Sequence, residues 1–199
     1  MKTLYQNAKF LISAALLSQL PEDMGFEVAF AGRSNAGKSS TLNMLCGQRQ
    51  LAKVSKTPGR TRLINLFTLD DERRLVDLPG YGYAQVAAAV KARWQETLAQ
   101  YLEHRACLRG VFLIMDIRHP LKDLDQNFIH WTHARRLPLH ILLNKADKLS
   151  HSQATSALLQ VRKALQEFPC VSVQLFSTLK RTGLDEACQV LNHWFELAK

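Results

Sequence analysis

The 199 residues of this chain suffice for one well-packed domain and not for two ordinary ones, and 47% of them are apolar, which excludes a disordered chain and allows a sizeable core. Lys and Arg outnumber Asp and Glu by 26 to 17, a formal charge of +9, which favours encounter with a polyanion such as RNA, DNA or acidic lipid. The four cysteines, Cys46, Cys107, Cys170 and Cys188, are scattered and read as reduced thiols of a cytoplasmic protein, and no apolar stretch approaches the length needed to cross a bilayer.

Phe10 to Leu17 is an apolar run that Ser13 interrupts, and no small-residue cleavage pattern follows it before Pro21-Glu22-Asp23. It reads as a buried helix or strand rather than a signal peptide, within an extension of residues 1–25 packed on a single domain that spans the chain. From residue 26 onward, strand-length apolar runs alternate with helix-period segments, the pattern of an α/β domain with a largely parallel sheet. Glu27 to Ala31 reads as a strand that stops at Gly32, followed by a helix from near Lys38. The stretch from Gly47 to Arg60 is polar, basic and broken by Pro58-Gly59, a long loop. Arg62 to Leu69 and Arg73 to Asp77 flank Asp70-Asp71-Glu72 as a hairpin, which supplies one antiparallel edge. A helix from about Val90 to Glu103 follows, then strands at Gly110 to Met115 and Leu139 to Leu143 separated by a helix over Asp123 to Arg135. Ser152 to Phe168 has helical spacing, Val171 to Phe176 reads as the last of six strands, and Leu184 to Leu197 as a closing helix.

Gly32-Arg33-Ser34-Asn35-Ala36-Gly37-Lys38-Ser39 fits G-x-x-x-x-G-K-[ST] between a predicted strand and a predicted helix. Such glycines let successive backbone N–H groups point at phosphate oxygens, and the helix N-terminus adds positive partial charge. Lys38 is placed to bridge β- and γ-phosphates and the Ser39 hydroxyl to ligate Mg²⁺. The loop alone does not choose between ATP and GTP. Asn144-Lys145-Ala146-Asp147, after the strand Leu139 to Leu143, supplies the choice. The Asp147 carboxylate can accept from both N1–H and the exocyclic amine of guanine, and adenine offers no such donor pair. Asn144 and the Lys145 stem hold the loop and flank the base. Phe176-Ser177-Thr178 follows the last strand, where a backbone N–H can meet the guanine carbonyl, or where Ser and Thr serve only as turn residues.

Asp77-Leu78-Pro79-Gly80 matches D-x-x-G, in which the carboxylate holds Mg²⁺ through water and the glycine N–H meets the γ-phosphate. Pro58-Gly59-Arg60-Thr61 offers the Thr61 hydroxyl to complete the Mg²⁺ shell, unless Thr61 is an ordinary β-branched strand start. Both segments would order only with the γ-phosphate present, which makes a switch. Lys38, Thr61 and Gly80 are the candidate catalytic groups. The position after Gly80, where many GTPases carry a water-orienting Gln, is Tyr81, so slow intrinsic turnover is expected, with a partner completing the site. Asn35 admits two readings: a turn-forming residue, which is preferred, and a ligand for K⁺ standing in for a missing positive charge.

Gly32 to Ser40 as GRSNAGKSS, Ser55 to Thr61 as SKTPGRT, Ile64-Asn65, Val76 to Ala84 as VDLPGYGYA and Asp116 to Asp125 as DIRHPLKDLD together resemble the EngB (YihA/YsxC) family of bacterial translation-factor-class GTPases, across essentially the whole chain. The resemblance implies a P-loop, Ras-like three-layer sandwich, a mostly parallel six-stranded sheet with one antiparallel edge strand and helices on both faces. It further implies a cytoplasmic GTP/GDP switch in assembly of the large ribosomal subunit, with rRNA and ribosomal protein as partners, linked to normal cell division and septation. By position, the family's nucleotide contacts fall on Gly32 to Ser39, on Gly59, Arg60, Thr61, Arg62 and Leu63, on Asp77, Leu78, Pro79 and Gly80, on Asn144, Lys145, Ala146 and Asp147, and on Phe176, Ser177 and Thr178. Its Mg²⁺ ligands fall on Ser39 and Thr61.

Basic residues near the switches, Lys53, Lys56, Arg60 and Arg62 on one side and Lys91 and Arg93 on the other, fit an RNA-facing surface or a merely solvated one. The chain is expected to be a monomer without membrane association. A signalling or septation regulator acting through a protein partner is the alternative, with the switches as docking surface. A P-loop kinase or ATPase is disfavoured by Asp147. The histidines form no metal-ligand constellation, and Trp94, Trp131 and Trp194 read as helix packing.

Overall fold

Successive apolar residues of the central strands point to opposite faces of one sheet and so build two cores, one on each face. The computed structural model describes residues 4–52, 63–81 and 88–197, the side chains of 88–95 apart. Its strands are β1 (Lys9–Ala14), β2 (Phe26–Gly32), β3 (Ile64–Thr68), β4 (Arg73–Asp77), β5 (Leu108–Asp116), β6 (Leu139–Asn144) and β7 (Val171–Leu175), and its helices are α1 (Lys38–Leu45), α2 (Ala88–His104), α3 (Asp123–Ala134), α4 (His151–Ala164) and α5 (Leu184–Trp194). The strands form one sheet in the order β1-β3-β4-β2-β5-β6-β7. On one face Ala29, Leu113 and Ile141 pack with Tyr101 of α2, Ile129 of α3 and Val161 of α4. On the other, Phe30, Phe112 and Leu142 pack with Leu42 of α1 and Leu191 of α5. The result is the expected three-layer α/β sandwich.

The sheet has seven strands rather than the six expected from the apolar runs. The additional strand is β1, within the run that reads equally as helix or strand. It pairs antiparallel with β3 through a register shift between Phe10 and Ile12, and its first three residues are exposed. As an outer strand it buries little, so its apolar content does not carry the clean alternation of a half-buried strand. The antiparallel strand is β3, which runs against both β1 and β4 and so lies one place in from the edge. Every other described pairing, β4 with β2, β2 with β5, β5 with β6 and β6 with β7, is parallel.

Parallel strands all end on the same side, which brings the C-terminal ends of β4, β2, β5 and β6 together. Phe30 lies opposite Asp77 and Asp116 opposite Asn144. The other end of the sheet is fastened by Glu27, whose side chain is fully buried. Its carboxylate accepts from Arg74 Nε at 3.0 Å, Arg105 Nη2 at 2.7 Å and Nε at 3.0 Å, and the Tyr101 hydroxyl at 2.8 Å. Burial, and then the adjacent Glu27 charge, hold the Tyr101 phenol well above its ordinary range. Arg105 also donates to the Pro21 carbonyl at 2.9 Å, tying the segment before β2 to the end of α2. Earlier in the chain, Tyr5 packs on Phe195 and donates to Asn192 on α5.

Among the described residues no three or more His, Cys, Asp and Glu side chains gather in a metal-ligand arrangement. His130 and His133 both set their rings edge-on against Phe168. Trp194 packs on Phe112, and Trp131 lies under the Arg135 guanidinium at 3.9 Å; the Trp94 side chain lies outside the described residues. Among the described residues no helix is long and apolar enough to cross a membrane.

Removing one member of a buried ion cluster leaves its partners uncompensated, at a cost of about 3–5 kcal/mol. Glu27→Ala is therefore expected to lose about that much unfolding free energy in chemical denaturation; a loss below about 1 kcal/mol would show the cluster to be solvated.

Candidate functional site

β2 ends at Gly32 and α1 begins at Lys38, so the chain turns back on itself over five residues above the sheet. The turn needs left-handed backbone at Asn35 (φ 63°) and Gly37 (φ 102°). Asn tolerates that region; at Gly37 a side chain is also barred by space, because a Cβ would lie 2.2 Å from Asn144 Nδ2. That same amide nitrogen donates to the Ala36 carbonyl at 2.8 Å, while the Thr178 N–H points at Asn144 Oδ1 at 3.4 Å. Asn144 thus joins the turn after β2 to the loop after β7. Its own backbone carbonyl accepts from the Ile117 N–H at 2.9 Å.

Lys145, in left-handed backbone at φ 64°, sends its ammonium to the Asn35 carbonyl at 2.7 Å and to Asp116 Oδ2 at 2.9 Å. Asp116 belongs to the DIRHPLKDLD segment, yet its place in the site was not legible as a motif. It takes two further bonds from the Arg118 guanidinium, at 2.9 and 2.6 Å. Burial raises this carboxyl's pKa, but the bonds from Arg118 and Lys145 outweigh it and hold the group well below the carboxylate range. Asp116 stays charged and holds the Lys145 ammonium.

Asp147 lies in the single helical turn Ala146–Lys148. Its side chain is 6% exposed, and its Oδ1 accepts from the Ser177 hydroxyl at 2.5 Å. Ser177 Oγ in turn accepts from the Lys180 N–H at 3.1 Å. Phe176 is fully buried, and its backbone bonds Leu143 on one side and Ala146 on the other, each at 3.0 Å. The segment 176–178 therefore braces residues 144–147 from behind.

Lys38 is buried and pairs closely with Asp77, the last residue of β4. Ser39 is half-buried at the start of α1, and Leu78 and Pro79 are buried behind Asp77. Gly80 follows, close to the turn after β2: a Cβ there would be 3.5 Å from the Gly32 carbonyl oxygen and 3.6 Å from the Ser34 nitrogen. The structure thus brings Gly32 to Ser39, Asp77 to Gly80, Asn144 to Asp147 and Phe176 to Thr178 to one edge of the sheet. Leu63 is exposed just before β3. Gly59, Arg60, Thr61 and Arg62 lie outside the described residues, as do Lys53, Lys56 and the side chains of Lys91 and Arg93.

Tyr81 turns away from this edge. Its ring stacks on Phe128 at 6.0 Å and its hydroxyl donates to Asp125 Oδ1 at 2.8 Å, both residues on α3. Burial, reinforced by the Asp125 charge, keeps the phenol protonated well above its ordinary range, and burial also raises the Asp125 carboxyl.

Comparison with known proteins gives the family to which a chain with this edge belongs. The family described as 50S ribosome-binding GTPase matches residues 27–145. The EngB GTP-binding proteins of Shewanella denitrificans and of Shewanella sp. strain ANA-3 are each 57% identical over 195 residues, covering 96% of this chain and 89% of theirs. The chain belongs to the EngB family of GTP-binding proteins. A solved EngB structure shares 19% identity and superposes with a TM-score of 0.69 over 86% of this chain and 100% of that one. Era of Aquifex aeolicus, at 21% identity, superposes with a TM-score of 0.69 over 88% of this chain and 58% of its own. Both carry the same fold. An EngB-family chain is a GTP-binding GTPase, in keeping with the P-loop GTPase class that the motifs predict.

The amide of Asn144 holds two loops at once, so truncating it releases both. Asn144→Ala is expected to weaken GTP and GDP binding alike by about tenfold or more, the scale of one to three kcal/mol per lost buried bond. Titration with fluorescent guanine nucleotides measures this; unchanged affinity would show that the clamp does not organise the site.

Proposed function

We propose that this EngB-family protein is a Mg²⁺-dependent GTP/GDP switch with slow intrinsic hydrolysis that acts in assembly of the large ribosomal subunit, and through it in normal cell division and septation. The observation that carries guanine selectivity is the Asp147 carboxylate, shielded from solvent and held at one oxygen by the Ser177 hydroxyl. A carboxylate so held is already oriented before a base arrives. Donation by N1–H and the exocyclic amine of guanine completes its hydrogen bonding, whereas adenine leaves it unmatched.

At the phosphate end, Lys38 and the amides of residues 33–39 meet phosphate oxygens, and Asp77 lies against Lys38. A hydroxyl from Ser39 and a carboxylate from Asp77 are hard oxygen donors of the kind Mg²⁺ takes, the latter through water. Thr61 completes the set in this reading. When bound, the ion supplies charge neutralisation at the β- and γ-oxygens. Gly59 to Leu63 and Asp77 to Gly80 are the segments that sense the γ-phosphate.

Slow hydrolysis is supported by the direction of Tyr81. A side chain packed on Phe128 and bonded to Asp125 cannot orient an attacking water, so the position after Gly80 supplies no catalytic amide. Asn35 is exposed and in left-handed backbone, which favours its turn-forming reading over K⁺ ligation.

Ribosome assembly is supported by the family's description as 50S ribosome-binding GTPases and by the +9 formal charge, which suits an rRNA surface. The large subunit's rRNA and ribosomal protein are the proposed partners, in the cytoplasm and with this chain acting as a monomer.

Asp147→Asn tests the base reading. It is expected to lower GTP affinity roughly 10²-fold or more and to raise affinity for xanthine nucleotide, both read by competition titration; unchanged guanine preference would overturn it. For the partner reading, the isolated protein is expected to turn over GTP no faster than the roughly 10⁻³ per second of an unassisted Ras-type site. It is also expected to sediment with large subunits in a GTP-dependent and salt-sensitive way. Recovery of a protein partner with no ribosome association would favour the septation regulator instead.

A further inference from the structure

The backbone on either side of Gly80 is fixed to the strand and turn that lead into the phosphate loop. Leu78 N–H donates to the Phe30 carbonyl at 3.0 Å, Tyr81 N–H to the Gly32 carbonyl at 3.3 Å, and Ser34 N–H to the Tyr81 carbonyl at 3.0 Å. Gly80 is bracketed by these bonds and has no side chain of its own to hold it. What fixes the far bracket is the Tyr81 side chain. It is buried, stacked on Phe128 with the rings 17° from parallel, and its hydroxyl ends on Asp125. Asp125 is itself 1% exposed. Its second oxygen accepts the Lys122 N–H at 3.1 Å, closing the first turn of α3. One carboxylate therefore serves both the helix start and the residue after Gly80.

Phe at this position would fill the same space and stack on the same ring. Only a hydroxyl exploits a buried carboxylate, and hydrogen bonds to charged groups are among the stronger neutral-to-ion contacts in proteins. We propose that Tyr81 is a positioning residue for triphosphate recognition: through Asp125 on α3 it holds the Gly80 peptide at the phosphate loop, so that preference for GTP over GDP depends on a contact outside the nucleotide site. This rests on the reading in which the Gly80 N–H meets the γ-phosphate. A nucleotide lacking that phosphate makes no use of the Gly80 peptide and does not sense the anchor.

The test compares affinities for GDP and for a non-hydrolysable GTP analogue, with Mg²⁺, in the full chain and in Tyr81→Phe, Asp125→Ala and the double variant, with thermal unfolding as the folding control. Analogue affinity is expected to fall about tenfold in each single variant, the scale of one charge-assisted bond, while GDP affinity stays within about twofold. The double variant is expected to be no worse than Asp125→Ala, because both remove the same contact. Equal losses for both nucleotides, or an unchanged ratio in folded Tyr81→Phe, would overturn the proposal. Intact GDP binding with an unchanged ratio overturns it alone, whereas wild-type protein that binds neither nucleotide overturns the underlying reading as well.

Discussion

The site depends on one side-chain amide. Asn144 closes β6 opposite Asp116, and from there its nitrogen reaches the Ala36 carbonyl and its oxygen faces the Thr178 N–H. A primary amide is suited to this because it presents a donor and an acceptor in a fixed plane. The two loops it joins are 34 and 108 residues away in sequence, and the amide adds a direct side-chain link between segments that the parallel strands bring to one edge. Gly37 is the complement to that amide, since any side chain there would occupy the space of the Asn144 nitrogen. The turn after β2 and the loop after β6 are in this sense a single piece of structure, whose two halves are 108 residues apart.

Lys145 repeats the logic one residue later with charge. Its ammonium lies between the Asn35 carbonyl and the Asp116 carboxylate, so it links the turn after β2 to the end of β5. Arg118 keeps Asp116 ionised and in place. At the opposite end of the sheet Glu27 ties β2, β4 and the end of α2 together. β2 is consequently fixed at both ends, by an ion cluster below and by the amide clamp above. Between them, both faces of the strand are buried in apolar packing.

Much of this was legible in the sequence, and the reason differs by element. β5 and β6 are continuous apolar runs because helices cover both of their faces, and they fall within two residues of the predicted bounds. The loop segments could be picked out because the patterns associated with phosphate and guanine recognition fix residue types and separations, and the structure brings the described ones to one edge of the sheet. β1 was ambiguous because an edge strand with exposed Phe10 and Leu11 obeys no clean period. The burial of Glu27 was not legible at all: a carboxylate in a strand looks solvent-facing until two arginines and a tyrosine from elsewhere arrive at it. Asp116 was visible only as part of a resembling segment, since its partner Lys145 lies in the next strand's loop. Contacts made by pairs distant in sequence leave no local pattern, which is why the strands and loops could be read and their braces could not.

Tyr81 shows how a single residue can change meaning once its direction is known. By type alone it is a poor replacement for a water-orienting Gln. By direction it is not oriented toward that task, because its ring and hydroxyl are both committed to α3. The backbone of the same residue remains bonded to the end of β2 and the turn that follows it. In the proposed reading these two facts belong together. A side chain that faced the nucleotide could help hydrolysis but would leave Gly80 tethered only through its neighbours' backbone. A side chain buried in α3 gives up that help and instead links the peptide next to the γ-phosphate with the start of a helix. Slow turnover and coupling to α3 then have one structural origin, and a partner able to read α3 need not approach the nucleotide to learn which one is bound.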